Sequence, residues 1–133
     1  MNDDKPGVTG VGGIFFKTSD PEKMKHWYSE HLGFDTDEYG TMFEFRLADE
    51  PEKTGYLQWS PFPVDTKYFD PTEKEFMVNY RVNHLEQLVE NLQQAGIEIV
   101  GEIQEYEYGK FAHIMDPDGN KVELWEPVDE AFE

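Results

Sequence analysis

An internal repeat limits what this chain can fold into more than any other feature. Ile14-Phe15-Phe16-Lys17 returns 64 residues later as Val78-Asn79-Tyr80-Arg81. The same offset sets Glu22 on Glu86, Met24 on Leu88 and Tyr28 on Leu92, and Leu32-Gly33-Phe34 meets Ala95-Gly96-Ile97 after a one-residue slip. At the far ends Trp59-Ser60-Pro61 matches Trp125-Glu126-Pro127. Residue identity is low, yet element order and helix phase agree. Such self-similarity marks a supersecondary unit that cannot bury its apolar face alone. Two units of roughly fifty residues must therefore build one domain between them.

Local signals give each unit the same order. Val8–Lys17 reads as a strand behind a polar, frayed Met1–Gly7. Ser19 or Asp20 caps a helix with Pro21 in its first turn, whose apolar stripe is Met24, Trp27, Tyr28 and Leu32, and Gly33 stops it. Phe34–Glu38, Met42–Leu47 and Gly55–Trp59 follow as strands. Ser60–Lys74, with three prolines and no period, is a linker. Glu75–Val82 is a strand, and Asn83-His84 opens a helix buried through Leu85, Leu88, Val89 and Leu92. Ala95-Gly96 ends it. Ile97–Val100 and Glu102–Tyr106 are expected strands, and Phe111–Met115 and Lys121–Trp125 form a hairpin around Asp116-Pro117-Asp118-Gly119-Asn120, whose residues are those of a tight turn. In the returning strand Val122, Leu124 and Glu126 point one way, and Lys121, Glu123 and Trp125 the other.

Composition excludes several classes of function. A net charge of -18 opposes nucleic acid and anionic membranes, which need basic patches. The chain has no cysteine, so disulfides, thiolate nucleophiles and cysteine-based zinc sites are out. No apolar run is long enough to span a bilayer, and the acidic MNDDKPG start does not read as a signal peptide. A cytoplasmic protein is the expectation. Ser19, Ser29 and Ser60 lack a nucleophile-elbow context, and Gly10–Gly13 precedes a strand instead of opening a helix, so it is no nucleotide fingerprint.

The segments SDPEKMKHWYSEHLGF, and QQAGIEI followed by DPDGNKVELWEP, resemble the vicinal oxygen chelate superfamily of glyoxalase I, bleomycin-resistance proteins and extradiol dioxygenases. The resemblance covers residues 8–127. It implies an α+β fold of two tandem βαβββ modules (8–60 and 75–127, with a linker at 61–74) curled into a half-open barrel around a central cavity. It also implies a homodimer. Metal enzymes of that group take ligands from the first and last strand of each module. Those positions fall here at Gly13, Met77, Leu57 or Gln58, and Glu123. Only Glu123 is a carboxylate, and a thioether suits hard cations poorly. No cofactor is expected, and a divalent metal only if this register is wrong.

The remaining candidates follow from residue type and strand phase. Glu123 is either a general base or ligand acceptor in an apolar cavity, or a strand carboxylate in an ordinary pair. His113, on the strand opposite, is placed to form an acid–base pair with Glu123 or to bond backbone. Arg46 and Arg81 are the two arginines of the chain; each clamps a ligand carboxylate or phosphate, or bridges to one of 29 acidic residues. Asn79 is the best neutral polar group for the cavity. Phe15, Trp59, Met77 and Trp125 line a pocket or pack the core. The linker, with Phe62, Tyr68 and Phe69, covers the cavity mouth, connects the modules, or packs on a partner subunit. The leading expectation is a metal-independent protein that binds a small organic molecule between the modules. The alternative is a glyoxalase-like lyase or isomerase, or a dioxygenase-type enzyme, using Glu123 with His113 or a metal.

Overall fold

A computed structural model describes residues 5–133. The expectation of a frayed start falls, for residues 1–4, outside the described residues. Gly7 already belongs to a strand. The elements are β1 (Gly7–Thr18), α1 (Pro21–Leu32), β2 (Thr41–Arg46), β3 (Thr54–Pro63), β4 (Phe76–Asn83), α2 (Leu85–Gln94), β5 (Gln104–Tyr106), β6 (Gly109–Met115) and β7 (Lys121–Pro127), followed by a 3₁₀ helix at Asp129–Phe132. The strands form one mixed sheet in the order β2-β3-β1-β4-β7-β6-β5. Its symmetry is that of the repeat. β1 and β4 pair antiparallel at the centre, and each is flanked by the last strand of its own module running parallel to it, β3 beside β1 and β7 beside β4. The fold is α+β and the sheet stays open, as a half-barrel.

Two expected strands are absent. In place of Phe34–Glu38 there is one bridge, Asp37 to Gly40, and in place of Ile97–Val100 one bridge, Ile99 to Ile114. Both segments leave a helix through a glycine at positive φ, Gly33 at 75° and Gly96 at 82°. Other groups then take up their backbone. Lys25, buried on α1, donates through Nζ to the carbonyls of Asp37 and Glu38 at 3.2 Å each. Val100 N–H donates to His113 O and Met115 N–H to Glu98 O. The first module is thus βαββ where βαβββ was expected. β3 runs on to Pro63, past the expected strand end at Trp59.

The helix ends follow their sequence signals. Asp20 Oδ1 accepts from Lys23 N–H at 3.0 Å, so Asp20 is the cap of α1. The start of α2 is capped from a distance. Glu126 of β7 accepts from Leu85 N–H through Oε1 at 2.7 Å, while His84 before it sits at φ 50°. Glu126→Ala should cost about 1 kcal/mol, the usual worth of an N-cap, read as a lower urea midpoint. The apolar face of α2 packs through Leu85 and Val89 onto Val82, Ala112 and Leu124. Leu124 and Glu126 therefore face the helix side, which leaves Glu123 and Trp125 on the other. Among the described residues no helix is long and apolar enough to cross a membrane.

Candidate functional site

The centre of the sheet sets one residue from each of five strands in a transverse row. Gln58 of β3 stands opposite Gly13 of β1, Gly13 opposite Asn79 of β4, Asn79 opposite Glu123 of β7, and Glu123 opposite His113 of β6. Residues level with one another across a sheet share a face. The concave side of the sheet bounds a cavity of about 620 Å³, and Gln58, Asn79 and Glu123 reach its wall. Eight of its thirteen lining residues are aromatic, which makes the cavity apolar with a few polar groups at fixed points.

The row corrects the first-strand position of the second module. Met77 does not hold it; Asn79 does. The 64-residue offset holds at Ile14, which stands opposite Val78, but antiparallel pairing runs the two strands in opposite senses, so one step back Gly13 faces Asn79 and one step on Phe15 faces Met77. Met77 instead packs with Phe15 and Phe69 in a small core. On β3 the row resolves the choice between Leu57 and Gln58 in favour of Gln58. As a set, Gly13, Gln58, Asn79 and Glu123 offer one carboxylate, two neutral amides and a position without a side chain. Among the described residues no three His, Cys, Asp or Glu converge. This donor set does not fit a divalent ion.

Glu123 is 1 % exposed, and three protein side chains reach its carboxylate. Asn79 Nδ2 donates to Oε1 at 2.6 Å. His113 Nε2 lies 2.8 Å from Oε2. The Tyr68 hydroxyl donates to the same Oε2. Three partners hold a carboxylate that burial alone would disfavour in its charged form. Asn79 gives up something in return. Its Oδ1 is buried against Gly12 and has no hydrogen-bond partner among the described residues.

Tyr68 comes from the linker, and sequence reasoning did not attach it to Glu123. The linker folds over the edge of the cavity and is pinned at three points: Tyr68 on Glu123, Lys121 Nζ donating to Tyr68 O at 2.6 Å, and Thr72 Oγ1 donating to Gly119 O at 2.6 Å. Phe62 stacks on Tyr68 with ring centroids 5.7 Å apart, and both line the cavity. A tyrosine among three prolines carried no periodic signal. What could have flagged it is the spare basic residue Lys121, which shares Glu123's face and needs an acceptor.

Burial, then the charge of Glu123 and the hydrogen bond to it, push the Tyr68 phenol well above its ordinary value. Burial likewise raises Tyr108, helped by Tyr106 and Glu123. It lowers Lys121, against the upward pull of Glu123. The folded state holds the Tyr68 proton more tightly than the unfolded chain does. That part of the stability is intact below about pH 10, where free tyrosine ionises, and is lost as pH rises further. The urea midpoint should therefore drop above that pH, and Tyr68→Phe should make the drop shallower.

Other candidate residues lie apart from the row. Trp59 does not reach the cavity: strand alternation turns Gln58 and Ser60 inward and Trp59 outward, onto Tyr28 of α1, Phe34 and Phe16. Arg46 is exposed on β2, with Nη1 donating to Thr54 Oγ1 at 3.2 Å, and is no part of the wall. Arg81 is buried behind Trp125 and holds Asp129. Phe15 and Trp125 do line the cavity; Trp125 stacks on Phe111 and donates from Nε1 to Tyr108 O at 3.0 Å.

Comparison with known proteins fits this geometry. The family model described as Glyoxalase/Bleomycin resistance protein/Dioxygenase superfamily matches residues 10–124. Among solved structures, methylmalonyl-CoA epimerase from Mycobacterium tuberculosis superposes with a TM-score of 0.63 at 22% identity, covering 94% of this chain and 92% of that one. Streptomyces coelicolor methylmalonyl-CoA epimerase in complex with 2-nitronate-propionyl-CoA gives 0.66 at 13% identity, covering 92% and 99%. The Mn(II)-bound glyoxalase from Novosphingobium aromaticivorans gives 0.62 at 17% identity; the match covers 93% of this chain and 40% of that one. At these identities the likeness is one of fold. No curated protein matches the chain.

Proposed function

The chain belongs to the Glyoxalase/Bleomycin resistance protein/Dioxygenase superfamily, and on that premise we propose that it is a cytoplasmic, homodimeric protein that binds a small organic molecule in the cavity between its modules, without a catalytic metal. One observation carries the reading. The cavity is walled mainly by aromatic rings, and its one buried carboxylate is already engaged by Asn79, His113 and Tyr68. A carboxylate with three partners is poorly free to take a proton from a substrate. Rings around a cavity of this size suit a flat, largely apolar ligand held by stacking, with Gln58, Ser60 and Asn79 as points of orientation. Trp125 is the natural reporter. Its fluorescence should change as an aromatic ligand binds, and Trp125→Ala should weaken binding about tenfold or more, roughly 1.4 kcal/mol. Unchanged affinity in that variant would move the ligand elsewhere.

A second reading has one observation in its favour, the 2.8 Å contact between His113 and Glu123. An imidazole on a buried carboxylate is a possible acid–base pair for a glyoxalase-like lyase or isomerase, or a dioxygenase-type enzyme. Glu123→Gln separates the two readings. Under the binding reading it keeps ligand affinity within a few-fold; under the enzymatic reading it keeps affinity and loses turnover. Metal content of protein purified without chelator, and sedimentation velocity, test the remaining parts.

A further inference from the structure

The segment after β7 folds back and presents a carboxylate and an aromatic ring to the interior. In a 3₁₀ helix residues three apart lie one above the other. Asp129 and Phe132 therefore project together from the same side of Asp129–Phe132. Asp129 meets Arg81 in a two-pronged pair, Nη1 to Oδ1 at 3.0 Å and Nη2 to Oδ2 at 2.6 Å. Phe132 lines the cavity and packs on Tyr56 and Trp125, with centroids 5.1 and 6.0 Å apart.

The place that receives Asp129 is built as carboxylate sites are. Arg81 is 4 % exposed, and its guanidinium lies 5.2 Å from the Phe45 ring and 5.4 Å from the Trp125 ring. Nη1 also donates to Tyr56 O at 3.1 Å. A planar fork fixed between two rings matches a carboxylate edge-on. Charge repulsion from the rest of the chain does not forbid an anion there, since exposed carboxylates are screened over about 8–10 Å at ordinary salt.

We propose that Asp129 and Phe132 occupy the place of an aromatic carboxylate ligand, whose acid group pairs with Arg81 and whose ring enters the cavity beside Trp125. The inference rests on the binding reading above and names its ligand class. The tail then acts as a tethered competitor. A short tether gives an effective concentration of about millimolar or more, so a free acid binds only by displacing it and its apparent affinity is lowered accordingly.

Naphthoate and its neutral counterpart naphthamide test this by calorimetry on the intact protein. Asp129→Asn should raise naphthoate affinity about tenfold or more and leave naphthamide within about twofold. In the unaltered protein, saturating naphthoate should move the ring-proton resonances of Phe132 toward those of an unstacked phenylalanine, and naphthamide should not. That second readout decides the matter if Asp129→Asn does not fold. Equal gains for both compounds, or none for the acid, with Phe132 unmoved, would show that the Arg81–Asp129 pair is only structural; the binding reading would survive, since naphthamide still binds. If neither compound binds any form, both ideas fall.

Discussion

Replacing Glu123 with alanine should destabilise the protein by about 3–5 kcal/mol, the summed consequence of leaving several buried polar partners unsatisfied at once. The expectation follows from what is left behind. The Asn79 amide, the Tyr68 hydroxyl and the His113 ring all turn toward Glu123, and Asn79 and His113 are themselves buried. Without the carboxylate each keeps a polar group facing a small void, at about 1–3 kcal/mol for each unsatisfied group before relaxation. Tyr68 would recover most readily, because the residue is already 39 % exposed. Glu123→Gln should cost less, since the amide keeps one acceptor and fills the same volume. The sign carries the information. A group kept for chemistry at the expense of the fold often makes the protein more stable when removed. A group that ties the linker, β4, β6 and β7 together makes it less so. Equilibrium urea unfolding measures the difference, and an unchanged or higher midpoint for Glu123→Ala would defeat the structural account.

How far this arrangement was legible in the sequence depends on the range of the signals. Local chemistry was enough to narrow the cap of α1 to Ser19 or Asp20, of which the structure uses Asp20, and enough for the Gly33 stop, the stripe of α2 and the Asp116–Asn120 turn, where Asp116 accepts from the backbone of Asp118 and Asn120. Alternation in β7 was enough to separate Leu124 from Glu123. Counting by a constant offset failed across the centre of the sheet. β1 and β4 pair antiparallel, so the residue facing Gly13 is Asn79 and not Met77, and an offset along the sequence carries no information on which residues stand opposite one another. The segment at 97–100 has strand composition yet makes a single bridge, to Ile114 of β6, and 34–38, with Asp35, Asp37 and Glu38, makes one only to Gly40, because tertiary pairing decides whether an extended segment is a strand. The bond of Tyr68 to Glu123, and the parts played by Asp129 and Phe132, were invisible for a third reason. Each residue lies outside the periodic elements and acquires its partner only when distant segments of the chain meet.

Gly12, itself part of the cavity wall, shows how tightly the row is packed, and Gly12→Ala should cost about 2–3 kcal/mol while weakening any cavity ligand about tenfold or more. The backbone there is not in the left-handed region. What excludes a side chain is space. A Cβ would stand 2.3 Å from Asn79 Oδ1, 2.8 Å from Trp125 Cε3 and 2.9 Å from Arg81 Cγ. None of the three is a loose surface group. Asn79 is held by its bond to Glu123, Trp125 by Tyr108 O and the Phe111 stack, and Arg81 by Asp129. The nearest obstacle is also the atom with no partner of its own, which makes the cost divisible. Asn79→Ala alone should destabilise, because Glu123 loses the donor on Oε1. Added to Gly12→Ala, it removes the closest contact, so the double variant should lose less than the sum of the single ones by about 1 kcal/mol or more. Strict additivity would mean that Trp125 and Arg81, not Asn79, bear the clash. In that case the methyl group would act on the Arg81–Asp129 pair directly, and Gly12→Ala should shift the Phe132 ring resonances with no ligand present.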